Sequence, residues 1–279
     1  MASNKSNKNE RAAQARKAAQ AQVKAQERRT AAIIGISVIA VILLFAGVVY
    51  FIVRSGDVPD LESADAVAPT GADSSGGIPI SSDAIAGVAG PEDAARLDVY
   101  LDFMCPICGQ FEETNGEDID AMVADGSVAL YVHPISILDR YSNGTNFSTR
   151  AANAAATVAD AAPEHFMAFQ TAMFENQPAE GTDGLSDTEI ADIAVGVGVP
   201  QEVADTFTDG EFTKWVIAAT DQSSQDGVPG TPTLRMADPG DSFADGKVLE
   251  QENDVMYFQP GALAQYVADV NAGTVTVTE

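Results

Sequence analysis

Two cysteines stand at the junction between a predicted strand and a predicted helix. Residues 96–104 (RLDVYLDFM) combine β-branched and aromatic side chains and predict a buried strand. A helix is predicted from Cys105 to about Asp125, and residues 127–135 (SVALYVHPI) predict a second buried strand. Because two strands joined by a crossover helix run parallel, the pattern predicts an α/β fold with the cysteines where a strand ends and a helix begins.

The tetrapeptide Cys105-Pro106-Ile107-Cys108 contains both cysteines of the chain. The first N–H groups of a helix have no intrahelical partner and its N-terminus carries partial positive charge, so a thiolate there is stabilised. The thiolate is the attacking species in disulfide exchange. Pro106 suits the first turn because it has no N–H to leave unsatisfied. Position and spacing together predict a redox-active pair.

Two other uses of a cysteine pair fit the sequence less well. A structural zinc site needs four ligands, and the two histidines, His133 and His165, lie far from the pair along the chain. A structural disulfide between Cys105 and Cys108 would close a very small loop, for which chain-entropy stabilisation is smallest. We therefore predict redox chemistry by the cysteines themselves, with no metal and no other cofactor. His133 precedes a proline at a strand end and is interpreted as structural.

Charge divides the chain near residue 54. Residues 1–54 carry nine basic and two acidic side chains, a net charge of +7, whereas the remainder carries six basic and 39 acidic ones, a net charge of -33. Such an acidic surface repels nucleic acid, so DNA and RNA are excluded as partners of the larger part.

Residues 31–53 contain no charged side chain and predict a transmembrane helix. At about 1.5 Å per residue the run reaches roughly 34 Å, enough for a hydrocarbon core of about 30 Å. A cleaved signal peptide is the alternative, but its apolar region is usually about 7–15 residues long and ends in small residues, unlike residues 50–53. Arg28 and Arg29 precede the run, so the positive-inside rule predicts a single-pass signal anchor in the cell membrane. Residues 1–30 then form a basic cytoplasmic segment.

The remainder, outside the cytoplasm, is predicted to contain a linker and one globular domain. Residues 54–77 are rich in Asp, Ser, Gly, Pro and Ala, lack aromatic side chains, and predict a flexible acidic linker. Residues 78–279 predict the domain, with a helical insertion at about residues 143–222. Further strands are predicted at residues 78–81, 231–236 and around 247–250, and a final helix at residues 260–271.

Residues 78–271 resemble the DsbA-like thioredoxin-fold proteins, especially the membrane-anchored forms from actinobacteria. The resemblance rests on YLDFMCPICGQF (100–111), HPISILD (133–139), the position of the helical block, and GVPGTPT (227–233). It implies a thioredoxin fold with an inserted helical subdomain, preceded by one transmembrane helix. It also implies thiol–disulfide oxidoreductase activity.

The resemblance implies roles for individual residues near the redox motif, including Pro106 and Ile107 within it. Cys105 would be the exposed nucleophile and Cys108 the buried resolving cysteine. Thr231 and Pro232 would lie opposite the pair, joined by a cis peptide bond. An extended client segment would then pair with the backbone at Thr231, as it would with an edge strand. The alternative for Pro232 is an ordinary trans proline at the start of a strand.

The chain departs from the family pattern near the cysteines. Thioredoxin and DsbA carry a buried acid six residues before the nucleophile, and Val99 stands there in this chain. Asp102 is expected to lie on a different face, and its role stays open. Ile107 occupies the position of a histidine in DsbA and cannot donate a hydrogen bond to the Cys105 thiolate. Ile107 and the acidic domain therefore predict a less oxidising couple than that of DsbA.

The implied function is disulfide exchange with secreted or cell-surface proteins. The reduced protein would be reoxidised by a membrane partner of the DsbB or vitamin-K-epoxide-reductase-like type. One alternative is the same chemistry in the opposite direction, by an extracytoplasmic reductase or isomerase. A second alternative, from another class, is a non-catalytic module that binds partner segments along the loop around Pro232.

Overall fold

The computed structural model describes residues 59–277. The predicted cytoplasmic segment, the predicted transmembrane helix and residues 54–58 of the predicted linker lie outside this range. Within residues 59–277, no helix is both long enough and apolar enough to cross a bilayer.

The described range folds around one mixed sheet flanked by helices. Its strands are β1 (Ile78–Ile80), β2 (Ala95–Leu101), β3 (Val128–Pro134), β4 (Thr233–Ala237) and β5 (Lys247–Val248). Its α-helices are α1 (Pro106–Asp125), α2 (Phe147–Ala161), α3 (Phe166–Glu175), α4 (Asp187–Gly196), α5 (Gln201–Ala204), α6 (Thr213–Gln225) and α7 (Ala262–Asn271).

The strands are ordered β1-β3-β2-β4-β5 across the sheet. Strands β2 and β3 are parallel, with Val99 opposite Val132, and the other neighbouring pairs are antiparallel. The predicted parallel strand–helix–strand unit is therefore confirmed. Because β2 is central, the loop that follows it lies at the middle of one sheet edge. This loop ends at Cys105, and Cys108 lies in the first turn of α1.

Helix α1 begins and ends where its sequence requires. Pro106 occupies the first helical position, where a missing N–H costs nothing. Gly126 adopts a left-handed conformation with φ 74° and donates its N–H to the last-turn carbonyls, a conformation that glycine reaches without strain. Phe111, Ile119 and Met122 are buried, as the predicted apolar stripe requires.

Helices α2 to α6 form the predicted insertion between β3 and β4. Helix α2 is rich in alanine and almost entirely buried, because alanine side chains let neighbouring helices approach closely. Trp215 on α6 is fully buried in the same core. The α/β thioredoxin fold with inserted helices therefore agrees with the fold class expected from the sequence.

One face of the sheet is unusually polar. Arg96 pairs with the carboxylates of Asp73 and Asp98, at 2.7 Å in each case. The His133 ring nitrogen Nε2 lies 2.8 Å from Asp98, and both side chains are buried. Tyr100 stacks on the His133 ring with centroids 4.0 Å apart. His133 therefore belongs to a buried ion network on this face, away from the cysteines' helix.

The segment before β1 differs from the expected flexible linker. The Asp73 carboxylate accepts hydrogen bonds from the backbone of Ser75 and Gly77 and also pairs with Arg96. Ala66 retains only 4% of its exposure. The described part, residues 59–77, is thus held on the domain. Its composition suggested a tether because the segment is held in part by hydrogen bonds and ion pairs, and these leave no apolar pattern in the sequence.

Candidate active site

Cys105 caps the N-terminus of α1 at the end of the loop after β2. Its N–H donates to the Asp102 carbonyl at 2.9 Å. Its own carbonyl accepts the N–H groups of Cys108 at 2.9 Å and Gly109 at 3.2 Å, which close the first helical turn. The backbone therefore holds the Cys105 sulfur beside the unpaired N–H groups of the helix start.

Both cysteines are free thiols and both are buried, with Cys105 6% exposed and Cys108 fully inaccessible. The order of accessibility follows the resemblance, but Cys105 is much less exposed than the resemblance implies. Pro106 and Ile107, between the cysteines, lie at the surface, and Ile107 is 42% exposed. An incoming partner therefore meets an exposed apolar side chain close to a cysteine that is almost entirely covered.

The environment separates the acidities of the two thiols. A hydrogen bond from the Cys108 side chain is the main cause that lowers the pKa of Cys105 to about 6, against the opposing effect of burial. Backbone N–H groups of Cys108 and Ile107 and a contribution from Thr231 lower it further. Burial raises the pKa of Cys108 well above its ordinary value. Cys105 is thus the thiolate at neutral pH, and Cys108 holds the proton.

Thr231 and Pro232 lie across from the cysteine pair, and the peptide bond between them is cis. The Cys105 sulfur lies 3.3 Å from the Thr231 carbonyl oxygen and donates a hydrogen bond to it in the thiol form, which predominates only below about pH 6. The Thr231 hydroxyl is buried, has no partner among the other described groups, and lies close enough to both sulfurs to lower their pKa values. The structure therefore brings the Cys105–Cys108 pair together with Thr231 and Pro232, which lie in a distant motif of the sequence.

Asp102, whose role the sequence left open, lies fully buried under the redox loop. One carboxylate oxygen accepts the Met104 N–H at 2.9 Å and the Ser148 hydroxyl at 2.7 Å, and the other accepts the Leu138 N–H at 2.9 Å. Burial raises the pKa of Asp102 to about 6, and the negative charge of Cys105 also raises it. Asp102 joins the redox loop, the loop after β3 and helix α2.

Glu112 is a buried acid that the sequence analysis did not single out. It lies four residues after Cys108 on α1, and it lines a cavity of about 10 Å³ together with Val99. Its carboxylate accepts hydrogen bonds from Thr171 at 2.8 Å and Gln170 at 3.3 Å, and burial raises its pKa. The buried acid that the family carries at the position of Val99 on β2 is missing in this chain. A carboxyl beside Val99 is supplied by Glu112 on α1. The one-turn spacing from Cys108 was the available signal.

A CXXC pair at the start of the helix after a central parallel strand, opposite a proline loop, defines a thioredoxin-fold thiol–disulfide oxidoreductase. The family model described as Thioredoxin matches residues 86–248, more than half of the chain. The chain belongs to the thioredoxin family, and within it to the DsbA-like thiol–disulfide oxidoreductases.

Solved structures agree with this assignment. Reduced DsbA from Mycobacterium tuberculosis is 27% identical with a TM-score of 0.52, over 72% of this chain and 100% of that protein. MdbA, a thiol-disulfide oxidoreductase from Actinomyces oris, is 23% identical with a TM-score of 0.53, over 80% and 99% of the two chains. The similarity to DsbA supports the assignment to the DsbA-like proteins, and the similarity to MdbA supports the thioredoxin fold.

A curated relative of a different kind matches part of the chain. The serine/threonine-protein kinase PknE of Mycobacterium tuberculosis is 36% identical over 106 residues, which are 37% of this chain and 19% of the kinase. The chain thus spans about a fifth of that relative, and the similarity concerns one part of PknE.

Proposed function

We propose that this protein introduces disulfides into secreted or cell-surface proteins, working from the outer face of the cell membrane. The observation that carries the proposal is the stabilised Cys105 thiolate, whose pKa is lowered to about 6. A thiolate that is stabilised in the reduced protein makes the disulfide form the better oxidant. It is also the better leaving group when a client disulfide is released.

The reaction balances as a two-electron exchange. A client thiolate attacks the Cys105 sulfur of the oxidised pair, the Cys105–Cys108 bond breaks, and Cys108 leaves with the electron pair and takes up a proton. A second client thiolate then attacks the client sulfur of the mixed disulfide, and Cys105 leaves as a thiolate. The client has lost two electrons and gained a disulfide, and the protein has become the reduced dithiol.

The raised pKa of Cys108 suits its part in this sequence. Burial disfavours a Cys108 thiolate, so the sulfur that leaves in the first step is protonated and does not attack the mixed disulfide readily. The low pKa of Cys105 suits the second step, in which Cys105 must depart. The backbone at Thr231, beside the Cys105 sulfur, offers an extended client segment a place to pair as a strand would.

The proposed location rests on the sequence. Residues 31–53 would anchor the chain with the domain outside, where disulfides persist. A membrane redox partner of the DsbB or vitamin-K-epoxide-reductase-like type would accept the two electrons and restore the Cys105–Cys108 disulfide. No other cofactor enters the proposal, because the exchange needs sulfur groups alone.

The test combines oxidised full-length protein in detergent with reduced, unfolded ribonuclease A. We expect the ribonuclease to gain disulfides as the protein loses its own, in equal amounts, and Cys105→Ser to abolish the exchange. A protein that left ribonuclease thiols unchanged, and that in its reduced dithiol form reduced insulin disulfides, would be a reductase. If neither reaction occurred while ribonuclease still bound, the domain would be a binding module.

A further inference from the structure

Gln177 connects the helical insertion to the redox loop. It lies just after α3, and its side-chain amide nitrogen donates to the Phe103 carbonyl at 3.0 Å and to the Cys105 carbonyl at 2.9 Å. One NH₂ group thus holds two backbone carbonyls on either side of Met104. The contact spans more than 70 residues of chain, so no local pattern reveals it.

Gly109 on α1 leaves the space that Gln177 occupies. A Cβ atom at position 109 would lie 2.6 Å from the Gln177 side-chain oxygen Oε1, inside any normal contact distance. A glycine within a helix is destabilising relative to alanine. The close approach of Gln177 gives a physical reason for a glycine one residue after Cys108.

The carbonyl that Gln177 holds belongs to the first turn of α1. The same Cys105 carbonyl accepts the N–H groups of Cys108 and Gly109. The N–H groups of Ile107 and Cys108 in this turn also favour the Cys105 thiolate. The orientation of the peptide groups around the sulfur therefore depends on a carbonyl that the insertion fixes.

We propose that Gln177 is a positioning residue for the redox reaction: by holding the Phe103 and Cys105 carbonyls, it fixes the peptide groups that surround the Cys105 sulfur. This role of Gln177 rests on the proposed redox function of Cys105, but it is the same whichever proteins are the clients. Without the amide, the two carbonyls lose a shared donor and the loop gains freedom. The N–H groups then point less steadily at the sulfur, and the thiolate is less favoured.

The charges around Gln177 must be separated from its hydrogen bonds. Gln177 and Pro106 line a groove that is also lined by several carboxylates. Those carboxylates belong to Glu112, Glu113, Glu117, Asp120 and Glu175. A charge added at position 177 would therefore raise the pKa of Cys105 even without lost hydrogen bonds. Gln110 lines the same groove from α1, is exposed, and offers a matched position for the same added charge.

The test measures the rate at which reduced full-length protein is alkylated by iodoacetamide between pH 4 and pH 9, with mass spectrometry to confirm reaction at Cys105. Gln177→Met removes the donor without adding charge, and we expect the midpoint of the profile to rise by about one pH unit, a roughly tenfold change in the ionisation equilibrium. Gln177→Glu should raise it further. Gln110→Glu should move it by no more than a few tenths.

Gly109→Ala supplies a second, independent displacement of Gln177. Alanine ordinarily stabilises a helix interior, so this variant is expected to fold, and it should raise the midpoint in the same direction as Gln177→Met. An unchanged midpoint in Gln177→Met and Gly109→Ala would overturn the proposal, even if both variants were less stable. So would equal shifts in Gln177→Glu and Gln110→Glu without a shift in Gln177→Met. Ribonuclease exchange is not part of this readout, so failure here is distinct from failure of the proposed function.

Discussion

Cys105 ionises readily inside a strongly acidic domain because short-range hydrogen bonds act on the sulfur itself. The net charge of -33 beyond residue 54 disfavours an added negative charge, but salt screens surface charges beyond roughly 10 Å. The Cys108 thiol and the first-turn N–H groups contact the sulfur directly. These hydrogen bonds outweigh the unfavourable effect of the acidic surface on the Cys105 thiolate. That the redox pair is less oxidising than that of DsbA stays a prediction.

The pH dependence of Cys105 follows from its lowered pKa. Because the folded-state value, about 6, lies below the ordinary value of 9.0, the thiolate stabilises the reduced protein fully above about pH 9, and this contribution is lost as pH falls toward 6. We expect alkylation of the wild-type protein to have a midpoint near pH 6. Cys108→Ala removes the main stabilising hydrogen bond, so its midpoint should move toward 9. Identical profiles for the two proteins would show that Cys108 does not stabilise the thiolate.

Asp102 should make the stability of the redox loop depend on pH in the opposite sense. Its pKa is raised from 3.8 to about 6, so its contribution to stability is present below about pH 4 and declines as pH rises to 6. Ser148→Ala removes a donor to this buried carboxylate. We expect a loss of about 1–3 kcal/mol in the free energy of urea unfolding at pH 7, and a smaller loss at pH 5.

Ser224→Ala is the matched control for Ser148→Ala, because Ser224 is exposed on α6. It should change the unfolding free energy by no more than a few tenths of a kcal/mol. Equal losses in the two variants, or a Ser148→Ala loss that does not vary with pH, would show that the stabilisation by Ser148 does not come from ionised Asp102.

At the scale of elements, the segment before β1 behaves as part of the domain. Burial disfavours ionisation of Asp73, but hydrogen bonds from Ser75, Arg96 and Gly77 outweigh it and lower the Asp73 pKa. The stabilisation by ionised Asp73 is therefore present above about pH 4 and is lost as pH falls below it. Asp73→Asn should expose residues 59–77 to faster hydrogen exchange at pH 7 while β2 and β3 stay protected.

Asp65→Asn is the matched control in the same segment. Asp65 is highly exposed, and its carboxylate lies 3.9 Å from a Lys214 amine that is also exposed, a pair of little energetic weight. Its exchange pattern should match that of the wild-type protein. If Asp73→Asn left the segment as protected as Asp65→Asn does, the ion pair with Arg96 would not be what holds residues 59–77.

The elements that sequence patterns predicted are those with local signals. Strands β2 and β3 were recognisable from apolar runs, and α1 from its proline start and glycine end. The redox pair was visible because four adjacent residues carry it. The buried acid Asp102, by contrast, is satisfied by Met104, Leu138 and Ser148, and Gln177 reaches the redox loop from the insertion. Contacts between distant segments leave no periodic signal.

At the scale of the whole molecule, the docked segment shortens the linker that the sequence predicted. The predicted linker covered residues 54–77, but residues 59–77 lie on the domain and cannot serve as free tether. If residues 31–53 anchor the chain as proposed, residues 54–58 are what is left of the predicted linker between the anchor and the domain.

Disulfide exchange as proposed requires that Cys105 be the sulfur that bonds to other proteins, and trapping tests this most directly. In membranes containing full-length Cys108→Ala protein, Cys105 cannot be released by its partner thiol. We predict mixed disulfides between Cys105 and extracytoplasmic proteins. Mass spectrometry should identify these proteins, and dithiothreitol should reduce the mixed disulfides and release them. The Cys105→Ala, Cys108→Ala double variant should form none. A Cys108→Ala protein that stays free of mixed disulfides under oxidising conditions, or forms them only with cytoplasmic proteins, would contradict the account.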